Sequence, residues 1–388
     1  MAASLRVYLV CAWLLLLPAA TRAAARAATT HADPPPQILA YRAMLRRFEK
    51  DPNTWQRTAR AARGWMMDHD PDYPIYHNVA VEGWINDPNG VTFDPAGAGG
   101  AGLYHRFYQY DKTWRQNCSQ QHHIDCAPFS ADGANRYART WGQTVSTNLA
   151  VGWADWPGIE SDSPSDRMAV YSGNCMLHHD TGHPVCIYSG GRDRPCDTGV
   201  CASSSDWIHW NKTSCMTHAP SPHSQTNHDS SIFRLANGTY FLLSGGCTFN
   251  NTVAPNQPAS PNATCRLGNA QIWRSEDLLS WAYVKPLVRS PSAAAAYWEL
   301  PYLLPFDAEG QALRNDQMSD AATTALLFGG GGNDYWTGDL DAHTVEFVPS
   351  RQHGDDGRPP PFRFLDRDPP YYSFNPHASD IDPADSTK

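Results

Sequence analysis

Apolar positions along the chain follow two different periods. Near the start, Ile38, Leu39, Tyr41, Met44, Leu45 and Phe48 recur close to helical spacing with charged residues in the gaps, which predicts a helix. Further on the pattern changes to short runs rich in β-branched and aromatic residues, at 103–110, 168–171, 185–188, 239–243 and 325–328. Gly, Asn-Gly and Asp-x-Gly turns break these runs, so many short antiparallel strands are expected. A third pattern lies at the very beginning, where Arg6 precedes an apolar run over 7–17 and small residues follow through Arg26-Ala27-Ala28. That is the pattern of a cleaved signal peptide, and the run is too short to span a bilayer comfortably.

A turn signature repeats along the strand-rich part. Ser-x-Asp-x-x-x-Trp occurs at Ser204, Asp206, Trp210 and at Ser275, Asp277, Trp281, with a looser copy at Ser146, Asn148, Trp153. Strands grouped into units of roughly 60 to 70 residues, each with a similar turn, favour a β-propeller over a sandwich, which needs no repeated turn. The expected organisation is a signal peptide over 1–28, a helical extension over 29–73 and an all-β propeller domain over 74–388.

Composition narrows the chemistry. A formal charge of −9 provides no basic field for phosphates or anionic lipid, so neither a nucleic acid nor a membrane surface is expected as partner. A neutral or polar small molecule fits better. Ten cysteines agree with an oxidising, secreted setting; Cys11 falls in the signal region and leaves an odd nine. Sequence neighbours form candidate bridges (Cys118 with Cys126, Cys175 with Cys186, Cys196 with Cys201, Cys247 with Cys265), leaving Cys215 over, although spacing alone does not fix connectivity. Sequons at Asn117, Asn211, Asn237, Asn250 and Asn262 suit a glycosylated surface. His218, His223 and His228 are evenly spaced, but not at the spacing of a zinc site, and no metal or cofactor is expected.

Three carboxylates stand out. Asp87, in Asn86-Asp87-Pro88-Asn89-Gly90, is expected in a tight polar turn whose hydrogen bonds favour the ionised form. Glu299, in Tyr297-Trp298-Glu299-Leu300-Pro301-Tyr302, has the most apolar neighbours of the few glutamates, a setting that raises a carboxyl pKa and suits a general acid. Asp229 opens a strand unit, His228-Asp229-Ser230-Ser231-Ile232-Phe233. All three fall at the start of a unit, and the first strands of propeller blades line one central channel, so the three are expected to converge. Convergent carboxylates suggest glycoside hydrolysis.

These residues bring the chain to a family it resembles. Trp84-Ile85-Asn86-Asp87-Pro88-Asn89-Gly90 is similar to the Trp-Met-Asn-Asp-Pro-Asn-Gly signature of glycoside hydrolase family 32, the invertases, inulinases and fructan-active enzymes. The resemblance continues through Tyr104-His105-Arg106-Phe107-Tyr108-Gln109-Tyr110, Trp141-Gly142-Gln143, Tyr171-Ser172-Gly173, Trp298-Glu299-x-Pro301 and Asn333-Asp334-Tyr335-Trp336. It implies a five-bladed propeller acting on sucrose or a fructan without a cofactor, secreted or lodged in cell wall or vacuole. By the same resemblance Asp87 is the nucleophile, Glu299 the acid/base and Asp229 the transition-state stabiliser. Asn86, Gln109, Tyr171 and Ser172 fall where the family contacts its sugar, and Trp84 and Trp114 are expected as apolar walls.

The chain departs from the family at two places: His228 stands where the Arg of an Arg-Asp-Pro motif is expected, and Leu300 follows Glu299 in place of Cys. A literal Arg367-Asp368-Pro369 lies in the wrong unit and reads as a loop. By this resemblance the fifth blade is expected to be incomplete at residue 388, and the β-sandwich that usually follows in the family is not expected within these residues. Fructosyl transfer, or sugar binding with weakened catalysis, are the alternatives; an inverting relative acting on arabinose or xylose glycans is a third.

Overall fold

The structure is a computed structural model that describes residues 34–74, 79–112, 139–149, 152–166, 169–190, 199–216, 228–249, 265–287, 298–313, 324–329, 334–341, 344–350 and 362–363. Two helices come first. α1 (Pro36–Arg46) buries Ile38, Tyr41, Met44 and Leu45, the face its apolar spacing predicts. Leu39 points away from that face and is exposed, and Phe48 lies past the helix end with a left-handed φ of 52°. α2 (Pro52–His69) buries only Trp55, Ala59 and Ala62, so its apolar face is too thin to announce a helix. What starts it is capping: the Asp51 carboxylate accepts from the amides of Asn53 (3.2 Å) and Thr54 (3.0 Å), and Pro52 occupies the first turn.

The strands form four antiparallel sheets in chain order, each a meander of the kind that builds a propeller blade. Sheet 1 holds β1 (Trp84–Asp94), β2 (Leu103–Asp111), β3 (Arg139–Ser146) and β4 (Ala154–Ile159). Sheet 2 holds β5 (Gly173–Leu177), β6 (Pro184–Ser189), β7 (Gly199–Ser203) and β8 (Asn211–Ser214). In sheet 3 are β9 (His228–Arg234), β10 (Tyr240–Phe249), β11 (Cys265–Ser275) and β12 (Ala282–Pro286). Sheet 4 comprises β13 (Tyr302–Phe306), β14 (Thr324–Gly329), β15 (Asp334–Asp341) and β16 (Glu346–Pro349), with β17 (Phe362–Arg363) also paired to β15. Of the apolar run over 168–171, residues 169–171 lead into β5 and are not a strand; the Val170 amide bonds the Arg139 carbonyl of sheet 1 at 3.1 Å.

Each interior sheet lies between two apolar layers, and the two-residue period of a strand sorts neighbours between them. On β10, Leu242 packs with Ile187, Ile232 and Trp273, while Leu243 packs with Phe233, Trp298 and Leu327. On β2, Phe107 meets Trp141 and Tyr188, while Tyr108 meets the helices through Tyr41 and Trp55. Burial on both faces explains why these strands read as short continuous apolar runs and not as alternating ones. The helices close the free face of sheet 1, where Arg63 on α2 grips both oxygens of the Asp155 carboxylate on β4 at 2.9 and 2.8 Å.

The repeated turn has one structural address, between the third and fourth strands of a sheet. In sheets 2 and 3 the Ser hydroxyl contacts the Asp carboxylate (3.0 Å in both), and the carboxylate accepts the amides two and three residues on. The residue after Asp takes a left-handed φ, 64° at Trp207 and 59° at Leu278. Between β15 and β16 the turn differs: Asp341 accepts the Thr344 amide at 3.2 Å, but the left-handed residue is Val345, with φ 51°, four positions after the Asp.

Cys175 and Cys186 are bridged as expected, directly opposite one another on β5 and β6. The expectation for Cys201 is corrected, because its partner is Cys215, the residue expected to be left over. The physical reason is the β7–β8 pairing, which turns the chain back so that the Cys215 amide bonds the Gly199 carbonyl beside Cys201. Cys118, Cys126 and Cys196 lie outside the described residues.

Candidate active site

The three carboxylates and Ser172 sit on first strands or on the residues leading into them, while Gln109 lies on β2. Asp87 lies in β1, Ser172 immediately precedes β5, Asp229 is the second residue of β9, and Glu299 comes just before β13. β5 packs against both β1 and β9.

A bulge makes the Asp87 setting. Ile85 pairs with Tyr110 and Pro88 with Tyr108, so Asn86 and Asp87 together oppose the single residue Gln109. Pro88, which has no amide hydrogen to give a ladder, fits at such an interruption. Because two residues face one, Gln109 reaches both: its amide nitrogen donates to Asp87 Oδ2 at 3.2 Å, and its amide oxygen accepts from Asn86 Nδ2 at 3.4 Å. Ser172 donates its hydroxyl to the same Asp87 oxygen and accepts from Gln109 at 2.6 Å. Gln109 and Ser172 are buried, Asp87 is half-buried, and Asn86 is exposed. One oxygen of the carboxylate is therefore held by buried donors from two other chain segments. Gly90, with φ 49°, closes this stretch where a Cβ would stand 2.5 Å from Cys175 Sγ, so only glycine lets β1 approach β5 this closely.

The other carboxylates are held differently. Asp229 is buried, and its Oδ2 accepts the Leu300 amide at 3.3 Å, which ties β9 to the segment carrying Glu299. Both members of that bond are left-handed, Asp229 at φ 51° and Leu300 at φ 53°. Such conformations cost a non-glycine residue about 1–3 kcal/mol and collect at functional sites. The expected apolar surroundings of Glu299 are corrected: its side chain is exposed. Successive side chains of an extended segment point opposite ways, so Trp298 is fully buried and stacks on Trp336 (centroids 4.7 Å apart) while Glu299 turns outward. Leu300 is buried, and its amide bonds Asp229.

Trp84 and Tyr171 meet through Arg139, a residue the sequence reading did not select. Its guanidinium carbon lies 5.5 Å from the Trp84 ring centre and 5.3 Å from that of Tyr171. Nothing in a single sequence marks Arg139, because its role depends on β3 starting beside two rings from other segments. His228 opens β9 opposite Gly245, and its side chain lies outside the described residues, as do Trp114 and Arg367-Asp368-Pro369. Among the described residues, no three His, Cys, Asp or Glu side chains gather so as to hold a metal ion, and no helix is long and apolar enough to cross a membrane.

Comparison with known proteins identifies the family of the domain. Residues 128–376 match the family described as Glycosyl hydrolases family 32 N-terminal domain, a segment that begins after Asp87. A rice protein, beta-fructofuranosidase, insoluble isoenzyme 1, is 28% identical over 246 residues, which cover 61% of this chain and 35% of the rice protein. Sucrose-6-phosphate hydrolase of Zymomonas mobilis is 27% identical over 243 residues, covering 59% of this chain and 40% of its own length. The chain thus spans little more than a third of these curated relatives. In fold it is similar to fructan 1-exohydrolase IIa of Cichorium intybus, with a TM-score of 0.53 at 20% identity over 76% of this chain and 49% of that one. With well over half of its length matched, the chain belongs to glycosyl hydrolase family 32 and carries that family's N-terminal domain.

Proposed function

We propose that this chain hydrolyses β-fructofuranosides such as sucrose by double displacement with retention. The observation that carries the proposal is the Asp87 carboxylate, half-buried on a bulge, with one oxygen held by Ser172 and Gln109. The other oxygen is then oriented for attack. Asp87 attacks the anomeric carbon of the fructosyl unit, and Glu299 gives its proton to the leaving glycosidic oxygen as that bond breaks. Glu299 next takes a proton from water, whose oxygen displaces Asp87 and releases fructose with its configuration kept. Glu299 thus leaves the first step as the carboxylate that the second step needs as its base, and ends the cycle protonated again. Asp229, buried beside the Glu299 segment, stabilises the positive charge that develops on the sugar ring. Asn86, Gln109, Ser172, Trp84 and Tyr171 form the sugar pocket together with His228 and Trp114.

In this reading the four sheets are blades of a five-bladed propeller, α1 and α2 belong to an extension over 29–73, and residues 1–28 are a signal peptide. Two disulfides suit an oxidising compartment outside the cell. The test is release of glucose and fructose from sucrose by the wild type, by Asp87→Asn and by Glu299→Gln. Turnover that both variants lose by at least about 1,000-fold is the expected result. Unchanged turnover in Asp87→Asn contradicts the assignment.

One observation favours a second reading, a sugar-binding protein with little turnover. The exposure of Glu299 leaves it without the apolar surroundings that suit a general acid. Saturable sucrose binding with no release of fructose would select that reading.

A further inference from the structure

Asn89 touches none of the atoms assigned to the reaction, yet it is completely buried and uses both ends of its amide. Its Nδ2 donates to the Asp87 carbonyl at 2.8 Å, and its Oδ1 accepts the Gly173 amide at 3.0 Å. The first bond fixes the backbone of the nucleophile position in sheet 1. The second fixes the residue that follows Ser172, at the start of sheet 2. Asp87 and Ser172 come from segments 85 residues apart, and their contact depends on how these two sheets are registered at this point.

We propose that Asn89 is a positioning residue, which sets the Asp87 carboxylate against the Ser172 hydroxyl by bridging the backbones of both. The bridge needs one donor and one acceptor at a fixed separation. Aspartate keeps the acceptor for Gly173 but sets an oxygen against the Asp87 carbonyl; serine is too short to reach both, and alanine supplies neither. The absence of room for a Cβ at Gly90 shows how closely the two sheets approach here, so a small slip is felt at once in the Asp87–Ser172 contact. The proposal rests on the reading of Asp87 as nucleophile only for its effect on rate; the positioning itself is a matter of geometry.

The experiment therefore has two arms. In the first, Asn89→Ala and Asn89→Asp are compared with Tyr188→Phe, a control in sheet 2 that loses a buried side-chain hydrogen bond to Asp166 and keeps the backbone pairing of residue 188 with Gly173. All are assayed on sucrose well below their melting temperatures, with rates expressed per folded molecule. A misplacement of about 1 Å can cost on the order of 100-fold in rate, so kcat of Asn89→Ala is expected to fall to that extent. KM should stay within about threefold, and Asn89→Asp should recover part of kcat, while Tyr188→Phe keeps the wild-type rate. Equal rates in Asn89→Ala and Tyr188→Phe overturn the proposal; if Asn89→Ala does not fold, Asn89→Asp carries the same comparison. In the second arm, a crystal structure of the Asn89 variant is expected to show Ser172 Oγ out of hydrogen-bond reach of Asp87, and an intact contact overturns the proposal. A wild type inert on sucrose defeats the nucleophile reading, and the second arm still decides the role of Asn89.

Discussion

The two halves of the site are built by opposite means. Around Asp87, side chains from two other segments converge on one carboxylate oxygen, and the backbone irregularity is a bulge that aims two residues at one partner. Around Glu299, the organising contact is a backbone amide on Asp229, made by two residues held in left-handed conformations, while the carboxylate itself is open to solvent. A nucleophile must meet one carbon from one direction, which a fixed carboxylate achieves. An acid/base has to exchange protons with solvent or a leaving oxygen, and a carboxylate on a rigid but exposed segment can do both.

Predictions that separate the halves differ in size. Asp229→Asn has the largest expected effect: asparagine tolerates the left-handed backbone and can still accept the Leu300 amide, so the fold should survive with its melting temperature little changed. Loss of the charge facing the transition state should lower kcat by about 100- to 1,000-fold. A large drop in melting temperature instead would mean that Asp229 is structural. Ser172→Ala should cost less, about 10- to 100-fold in kcat/KM, the value of one hydrogen bond to a charged group. A loss in Ser172→Ala greater than in Asp229→Asn would mean that the contacts holding Asp87, and not the charge of Asp229, carry the larger share of the rate.

The last prediction concerns acid stability of the Asp87 half and not its rate. His105, on β2 four residues before Gln109, is completely buried and stacked on Trp207 with ring centroids 3.7 Å apart. Burial holds its pKa down to about 3, against an ordinary value of 6.5. Between those values the unfolded chain binds a proton that the folded chain does not. Stability from this group is thus whole above pH 6.5 and is lost as pH falls toward 3, by up to about 1.4 kcal/mol per pH unit. His105→Gln should flatten the dependence of melting temperature on pH over that window, whatever its stability near neutrality. An unchanged slope would show that another group sets the acid limb.

How much of this was legible in the sequence follows from how local each feature is. The strands of sheets 2 and 3 could be read because burial on both faces leaves continuous runs, as at Val185, Ile187 and Tyr188, and because Ser-x-Asp makes its own turn through contacts two and three residues away. Asp87 stood out in its motif, while Gln109 and Ser172, in separate segments, were indicated only by the family resemblance. α2 could not, since Trp55, Ala59 and Ala62 form too thin a stripe. The outward turn of Glu299 depends on which side of the segment Trp298 takes against Trp336, and the Cys201–Cys215 bridge on the β7–β8 hairpin. Arg139 and the Asn89 bridge exist only once different segments are packed together.

The most direct test of the central claim is to trap the intermediate. Wild-type protein is mixed with sucrose, quenched in acid during turnover and digested, and the peptide containing Asp87 is weighed by mass spectrometry. The account predicts a peptide heavier by one fructosyl unit, with the ester on Asp87 and no adduct in Asp87→Asn. An adduct on another carboxylate, or turnover with no adduct and inverted configuration in the released fructose, would contradict it.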